Sequence, residues 1–177
     1  VLNLTKYKTR LNILEIGVGS GCVMLSILKE KQNFYGTGID ISRNCLNITK
    51  INAVNLQVNG RLKLYKSNVD KFTLGKYDLI VSNPPYIKKY KLKYLEKDVR
   101  DFEPVHALDG GLDGLLEIKK VIKKSSELIK KKGQFILEIG FDQKNKVVNL
   151  IKKEGFYINS IQKDFAKKDR CIICTKI

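Results

Sequence analysis

The sequence predicts an α/β protein: a mostly parallel seven-stranded sheet with helices on both faces and an antiparallel hairpin at its C-terminal edge. Two observations predict it. Short apolar runs closed by glycine, asparagine or aspartate alternate with amphipathic segments nearly to the end of the chain, the pattern of repeated βα units. The last two β-like runs follow one another with no helix between them, so they pair antiparallel. With 177 residues and 43% apolar composition, the chain can bury a substantial core. Residues 1–177 are expected to form a single domain, with 1–10 a linker remnant of a longer protein that was cut before this start.

The elements follow in order. "LNILEIG" (11–17) is the first strand, and a helical segment runs from Ser20 to about Lys31. "FYGTGID" (34–40) is the second strand. "SRNCLNITKINAVNL" (42–56) is a helix capped by Ser42, whose hydroxyl can accept from an orphan N–H; its 3–4 spacing puts Cys45, Ile48, Ile51 and either Asn52 or Leu56 on the buried face. "RLKLYKS" (61–67) and "YDLIVSN" (77–83) are strands three and four. Residues 84–111 are polar and aromatic with little periodicity, and a connection of that length in a compact domain is usually functional. "LDGLLEIKKVIKKSSELIKKKG" (112–133) reads as one long amphipathic helix, with Leu115, Ile118, Val121, Ile122, Ser125 and Leu128 on one face and Gly133 as its C-cap. "QFILEIG" (134–140) is strand five and 143–155 a further helix; "FYINSIQKD" and "RCIICTKI" form the closing hairpin around "FAKKD".

Composition narrows the function classes. No apolar run approaches the roughly 20 residues that span a bilayer, and no signal-peptide layout opens the chain. Cys171 and Cys174 have CxxC spacing inside a β-branched run; they read as half-buried thiols of a terminal strand, with a redox or metal pair as the alternative. The lone His106 and the lack of a second CxxC argue against a structural zinc, so no metal is expected, and a reducing cytoplasm is the simplest setting. Lys and Arg number 34 against 18 Asp and Glu, a net charge of +16. That excess is either a general solvated surface or a basic face for RNA, DNA or a ribosome-bound partner.

In such sheets ligands bind beyond the carboxyl ends of the strands, at the switch point. The tips of strands one to four carry Glu15–Gly21, Asp40, Ser67–Asn68 and Asn83–Tyr86. Gly17, Gly19 and Gly21 form GxGxG between a strand and a helix, allowing a tight turn and close approach of a ligand to bare backbone. The dinucleotide fingerprint wants a third glycine where Cys22 stands, so NAD fits poorly. Glu15 suits an ammonium or sulfonium better than a phosphate. Asp40 can accept from both ribose hydroxyls, and Asn68 can meet an adenine edge with donors and an acceptor. Together they outline a nucleoside with a cationic amino-acid tail, S-adenosyl-L-methionine.

"SNPPY" then ends strand four. Pro84 and Pro85 lack N–H groups and stiffen the segment, so its exposed backbone groups are chiefly carbonyls. The Asn83 side-chain oxygen and the Pro84 carbonyl can accept both hydrogens of a planar NH2 group, with Tyr86 against its flat face. Such acceptors push electron density back onto a poor nucleophile, and positioning takes the place of a strong base.

"LEIGVGSG", "GID", "SNPPY" and "DVRDFEPVHALDGGLDGL" together resemble the protein-(glutamine-N5) methyltransferases that modify peptide-chain release factors, the PrmC/HemK type, over about Leu11–Ile177. "NPPY" also occurs in adenine-N6 and guanine-N2 nucleic-acid methyltransferases; "RDFEPVHALDGG" is far more specific to the glutamine enzymes. The resemblance implies a Rossmann-like class I methyltransferase fold and S-adenosyl-L-methionine bound by Glu15, Gly17, Gly19, Gly21, Asp40, Asn68 and Asn83. It implies that Asn83, Pro84 and Tyr86 are catalytic and, with Pro85, hold the glutamine amide of a release factor's Gly-Gly-Gln loop. Arg100, Glu103 and Pro104 match the loop motif without individual chemistry. Family members also carry an N-terminal helical domain that helps to engage the release factor, expected here to have been cut away or left out. The rival readings are an amino-methyltransferase acting on RNA or DNA bases, which would need a base-flipping pocket, and an inactive domain that binds the cofactor or RNA.

Overall fold

The structure, a computed structural model, describes residues 1–2, 4–5, 9–87 and 110–177. Arg100, Glu103, Pro104 and His106 lie outside the described residues. Among the described residues, seven strands alternate with four α-helices: β1 (Asn12–Ile16), α1 (Cys22–Glu30), β2 (Tyr35–Asp40), α2 (Arg43–Asn55), β3 (Leu62–Lys66), β4 (Tyr77–Ser82), α3 (Leu116–Leu128), β5 (Ile129–Glu138), α4 (Lys144–Lys153), β6 (Phe156–Lys163) and β7 (Asp169–Lys176). They form one sheet in the order β3-β2-β1-β4-β5-β7-β6. The first five are parallel, and β7 inserts antiparallel between β5 and β6. The predicted architecture, hairpin included, is the one observed.

Period-two alternation loads both faces of the sheet. Leu14, Ile80, Phe135, Leu137 and Ile172 face α3 and α4. Ile13, Leu79, Val81, Ile136 and Ile173 face α1 and α2. Helices on both sides are what a parallel sheet with apolar residues at successive positions requires.

Two local expectations are corrected. The buried face of α2 is Leu46, Thr49 and Ala53, whereas Ile48 and Ile51 are 48% and 61% exposed. Polar docking sets the rotation: the Thr49 hydroxyl donates to the Gly19 carbonyl at 2.7 Å, which turns the neighbouring isoleucines outward. Ser42 does cap α2, accepting from the Cys45 N–H at 3.3 Å.

The long helix at 112–133 is shorter at both ends. It starts at Leu116, after a turn in which Asp113 accepts from the Leu115 N–H at 2.9 Å. It stops at Leu128 because Ile129 pairs with Tyr77; residues 130–133 then bulge out before the ladder resumes at Leu79 and Gln134. The predicted apolar face holds, from Leu115 to Leu128. Gly133 is no helix cap. It lies inside β5 where a Cβ would sit 2.8 Å from the Lys130 carbonyl oxygen and 3.1 Å from that of Asp78. Gly133→Ala is expected to lower the unfolding free energy by about 1–3 kcal/mol, read from the midpoint of denaturant unfolding; an unchanged midpoint would show that the bulge yields freely.

Candidate active site

The site is built by register. Ile16, the last residue of β1, pairs with Ile39 of β2 on one side and Ser82 of β4 on the other, and Asp40 pairs with Lys66 of β3. Neighbouring strands lie about 4.8 Å apart, so Asn83, Gly17, Asp40 and Asn68 follow one another along one edge at single-strand spacing. The buried Ser82 hydroxyl donates to the Ile16 carbonyl at 2.8 Å, stapling the tip of β4 to that of β1.

The glycine loop is anchored from β2 and α2. The N–H groups of Gly17 and Val18 donate to the Ile39 carbonyl at 2.9 and 3.0 Å. The Asp40 carboxylate accepts from the Gly19 N–H at 3.0 Å and, through its other oxygen, from the Ser42 N–H at 2.8 Å. Thr49 holds the Gly19 carbonyl, and the Asn52 amide donates to that of Ser20 at 3.0 Å. Gly17 and Gly19 take left-handed φ values of 77° and 55°, and a Cβ on either would meet nothing within 4 Å. Gly21 differs: its Cβ would lie 2.8 Å from both Leu25 and Thr49. The first two glycines border open space, while the third lets the loop pack onto its helices.

Glu15 points toward α1 and is 5% exposed. Its carboxylate accepts from the Met24 N–H at 2.9 Å. Gly21, the N-cap of α1, has no side chain to do so, so the strand supplies the acceptor that the cap cannot. Burial pushes the Glu15 carboxyl up to about 8; the Met24 hydrogen bond lowers it and the Asp40 charge raises it further. Asn68 is exposed and accepts from the Asp70 N–H at 3.1 Å, capping a short 3-10 turn at Val69–Lys71. Its oxygen is thus engaged, and no partner holds its NH2 among the described residues.

At the tip of β4, Asn83 is exposed, Pro84 buried, and Pro85 and Tyr86 half-buried. Among the described residues, no partner engages the Asn83 amide. Tyr86 is held at both ends. Its hydroxyl donates to Glu138 at 3.2 Å, and its carbonyl accepts from the Gln143 amide at 3.2 Å. The Arg170 guanidinium lies 5.9 Å from its ring centre and is itself fixed by Asp164 and the Ile139 carbonyl. Burial, followed by the Glu138 charge, pushes the Tyr86 phenol up. Glu138, Gln143 and Arg170 were not foreseen from the sequence: they reach Tyr86 from β5, from the N-cap of α4 and from β7, and no local pattern marks them.

The CxxC pair resolves simply. Cys171 and Cys174 lie three apart on β7 and pack on opposite faces of the sheet, so they cannot share a ligand. Burial raises both thiols, that of Cys174 to about 12. Among the described residues no group of three or more metal-ligating side chains gathers, and no helix is long and apolar enough to cross a membrane.

The family model described as "Methyltransferase small domain" matches residues 1–98. A release factor glutamine methyltransferase of Clostridium acetobutylicum is 34% identical over 178 residues, covering 99% of this chain and 61% of that protein. One of Caulobacter vibrioides is 37% identical over 169 residues, covering 93% and 57%. The chain thus spans about 60% of the length of these relatives. Among solved structures, a methyltransferase from Pyrococcus furiosus matches with a TM-score of 0.72 and 20% identity, over 98% of this chain and 80% of that one. That likeness bears on the fold, a Rossmann-like class I methyltransferase sheet.

Glu15 makes stability depend on pH. Its folded carboxyl keeps a proton up to about 8 while the unfolded one loses it near 4.5, so its contribution is full below 4.5 and is lost as pH rises toward 8. Glu15→Gln keeps an acceptor for Met24. It is expected to gain on the parent chain in unfolding free energy as pH rises through that window, and a constant difference would refute the assignment.

Proposed function

The chain belongs to the methyltransferase small domain family, and from that premise we propose that residues 1–177 act as one catalytic domain, transferring a methyl group from S-adenosyl-L-methionine to the side-chain amide nitrogen (N5) of a glutamine in the Gly-Gly-Gln loop of a cytoplasmic peptide-chain release factor. The observation that carries the proposal is the exposed Asn83 amide, unengaged among the described residues, on a proline-stiffened segment one strand from the open glycine loop. The likeness to release factor glutamine methyltransferases along nearly the whole chain supports the substrate class.

The residues present fit the cofactor. The space above Gly17 and Gly19 admits a ligand against bare backbone. An ionised carboxylate offers about four acceptor positions; Asp40 uses two on Gly19 and Ser42, leaving two for a ribose diol. Asn68 donates from its NH2 toward the adenine. Glu15 braces the loop from beneath through the Met24 N–H. When bound, S-adenosyl-L-methionine supplies an electrophilic methyl group on a sulfonium.

The chain's own residues then do the rest. The Asn83 side-chain oxygen and the Pro84 carbonyl accept the two amide hydrogens of the glutamine, raising electron density on its nitrogen. Tyr86, pinned by Glu138 and Gln143, keeps that planar group in place. Preorganised acceptors cost no reorganisation at the moment of reaction, which is how an amide can react without a strong base.

Labelled cofactor offered to a pool of release factor, tRNA, rRNA and DNA is expected to methylate the release factor on its Gly-Gly-Gln glutamine, located by mass spectrometry; label on nucleic acid alone would overturn the proposal. Asn83→Ala should lower methyl transfer by about 100-fold with cofactor affinity nearly intact, and parallel loss of both would refute its role. Asp40→Ala should weaken cofactor binding by about 1.5–3 kcal/mol in calorimetry; an unchanged dissociation constant would remove it from the cofactor site.

A further inference from the structure

We propose that Gln143 is a positioning residue for the transfer step: it clamps the Asn83–Tyr86 segment through the Tyr86 carbonyl. The inference rests on the reading of that segment as the receiver of the substrate amide.

The physical need comes first. Pro84 and Pro85 have no N–H, so this stretch of backbone can be tied down chiefly through its carbonyls, and each tie needs a donor from elsewhere. Gln143 brings one. Its side chain is 3% exposed and all of its amide is used. The NH2 donates to the Tyr86 carbonyl at 3.2 Å and to that of Gly114 at 2.9 Å, while the oxygen accepts from the Gly140 N–H at 2.8 Å. The network dictates the amide's orientation, since a flip would set its oxygen against two carbonyls.

Space is made for it as well. A Cβ on Gly140 would lie 2.9 Å from the Gln143 amide oxygen, so the glycine admits the side chain. The effect extends to the next residue: the Gly110 N–H donates to the Ile87 carbonyl at 2.8 Å, and a Cβ on Gly110 would lie 2.9 Å from the Tyr86 backbone. Gln143 therefore ties together the chain leaving β4 and the chain entering α3. It touches neither the glycine loop nor Asp40. Its loss should be felt in the transfer step and not in cofactor affinity.

Gln143→Glu tests this with almost no change of shape. The variant keeps an acceptor for Gly140 but turns a carboxylate oxygen toward two carbonyls. Expected are a fall in kcat of about 10- to 100-fold at alkaline pH, unchanged cofactor affinity, and a loss that narrows as the pH falls and the buried carboxyl takes up a proton and with it a donor. Amide exchange should quicken at Gly110, whose N–H donates to the Ile87 carbonyl, while Gly140 stays protected. Wild-type kcat, or cofactor affinity lost in step with kcat, or a loss independent of pH would overturn the inference. If the variant does not fold, Gln143→Met, which has no donor and no charge but also frees the Gly140 N–H, carries the same comparison of kcat, affinity and exchange at Gly110. If the parent chain itself transfers no methyl to glutamine, the proposed function fails, and the clamp is judged by exchange alone: unaltered exchange at Gly110 refutes it.

Discussion

Everything at the site depends on the in-register parallel pairing of β1 with β2 and β4. β1 is the central strand of the three, and Ile13 and Leu14 are completely buried on opposite faces. Its ladder brings Ile16 level with Ile39 and Ser82, so whatever follows each strand emerges at the same edge. A slip of one residue would turn Ile13 and Leu14 to the wrong faces and would part the glycine loop from Asp40. Glu15 shows the force of this constraint. Alternation sends it into the layer beneath α1, where a carboxylate is unfavourable without a hydrogen-bonding partner. The Met24 N–H is that partner, and the raised carboxyl is the remaining sign of the conflict.

The two halves of the site are braced from different places. Around the glycine loop the supports are Asp40, Thr49 and Asn52, from β2 and α2. Around Tyr86 they are Glu138, Gln143 and Arg170, from β5, the N-cap of α4 and β7. The Ser82–Ile16 hydrogen bond joins the halves. Groups without shared partners respond to change nearly independently, so the glycine loop and the Tyr86 segment can be adjusted separately in this fold.

Much of this was legible in the sequence because it is local. Strand tips ending in glycine, aspartate or Asn83-Pro84-Pro85 announce themselves, and Ser42 stands where a helix cap is needed. What was not legible is decided at a distance. The apolar residues of α2 lie on more than one face, so periodicity favoured Cys45, Ile48 and Ile51; the hydrogen bond from Thr49 to Gly19 chose otherwise. "IKKKG" after Leu128 reads as more helix because lysine is a good helix former and glycine a common stop. Pairing of Ile129 with Tyr77 overrides both. Gln143 carries no local signal, since the carbonyls it meets belong to residues 57 and 29 positions earlier.

The bracing of Tyr86 bears on what can be inherited or transplanted as a unit. The family match stops at residue 98, and the tetrapeptide lies inside it, yet Glu138, Gln143 and Arg170 all lie beyond. A recognisable motif and the machinery that aims it are therefore encoded in separate stretches of chain. Grafted onto another sheet, Asn83-Pro84-Pro85-Tyr86 would bring its stiffness along but leave its bearings behind. A substitution at Glu138, Gln143 or Arg170 changes how the four letters are held without altering any of them.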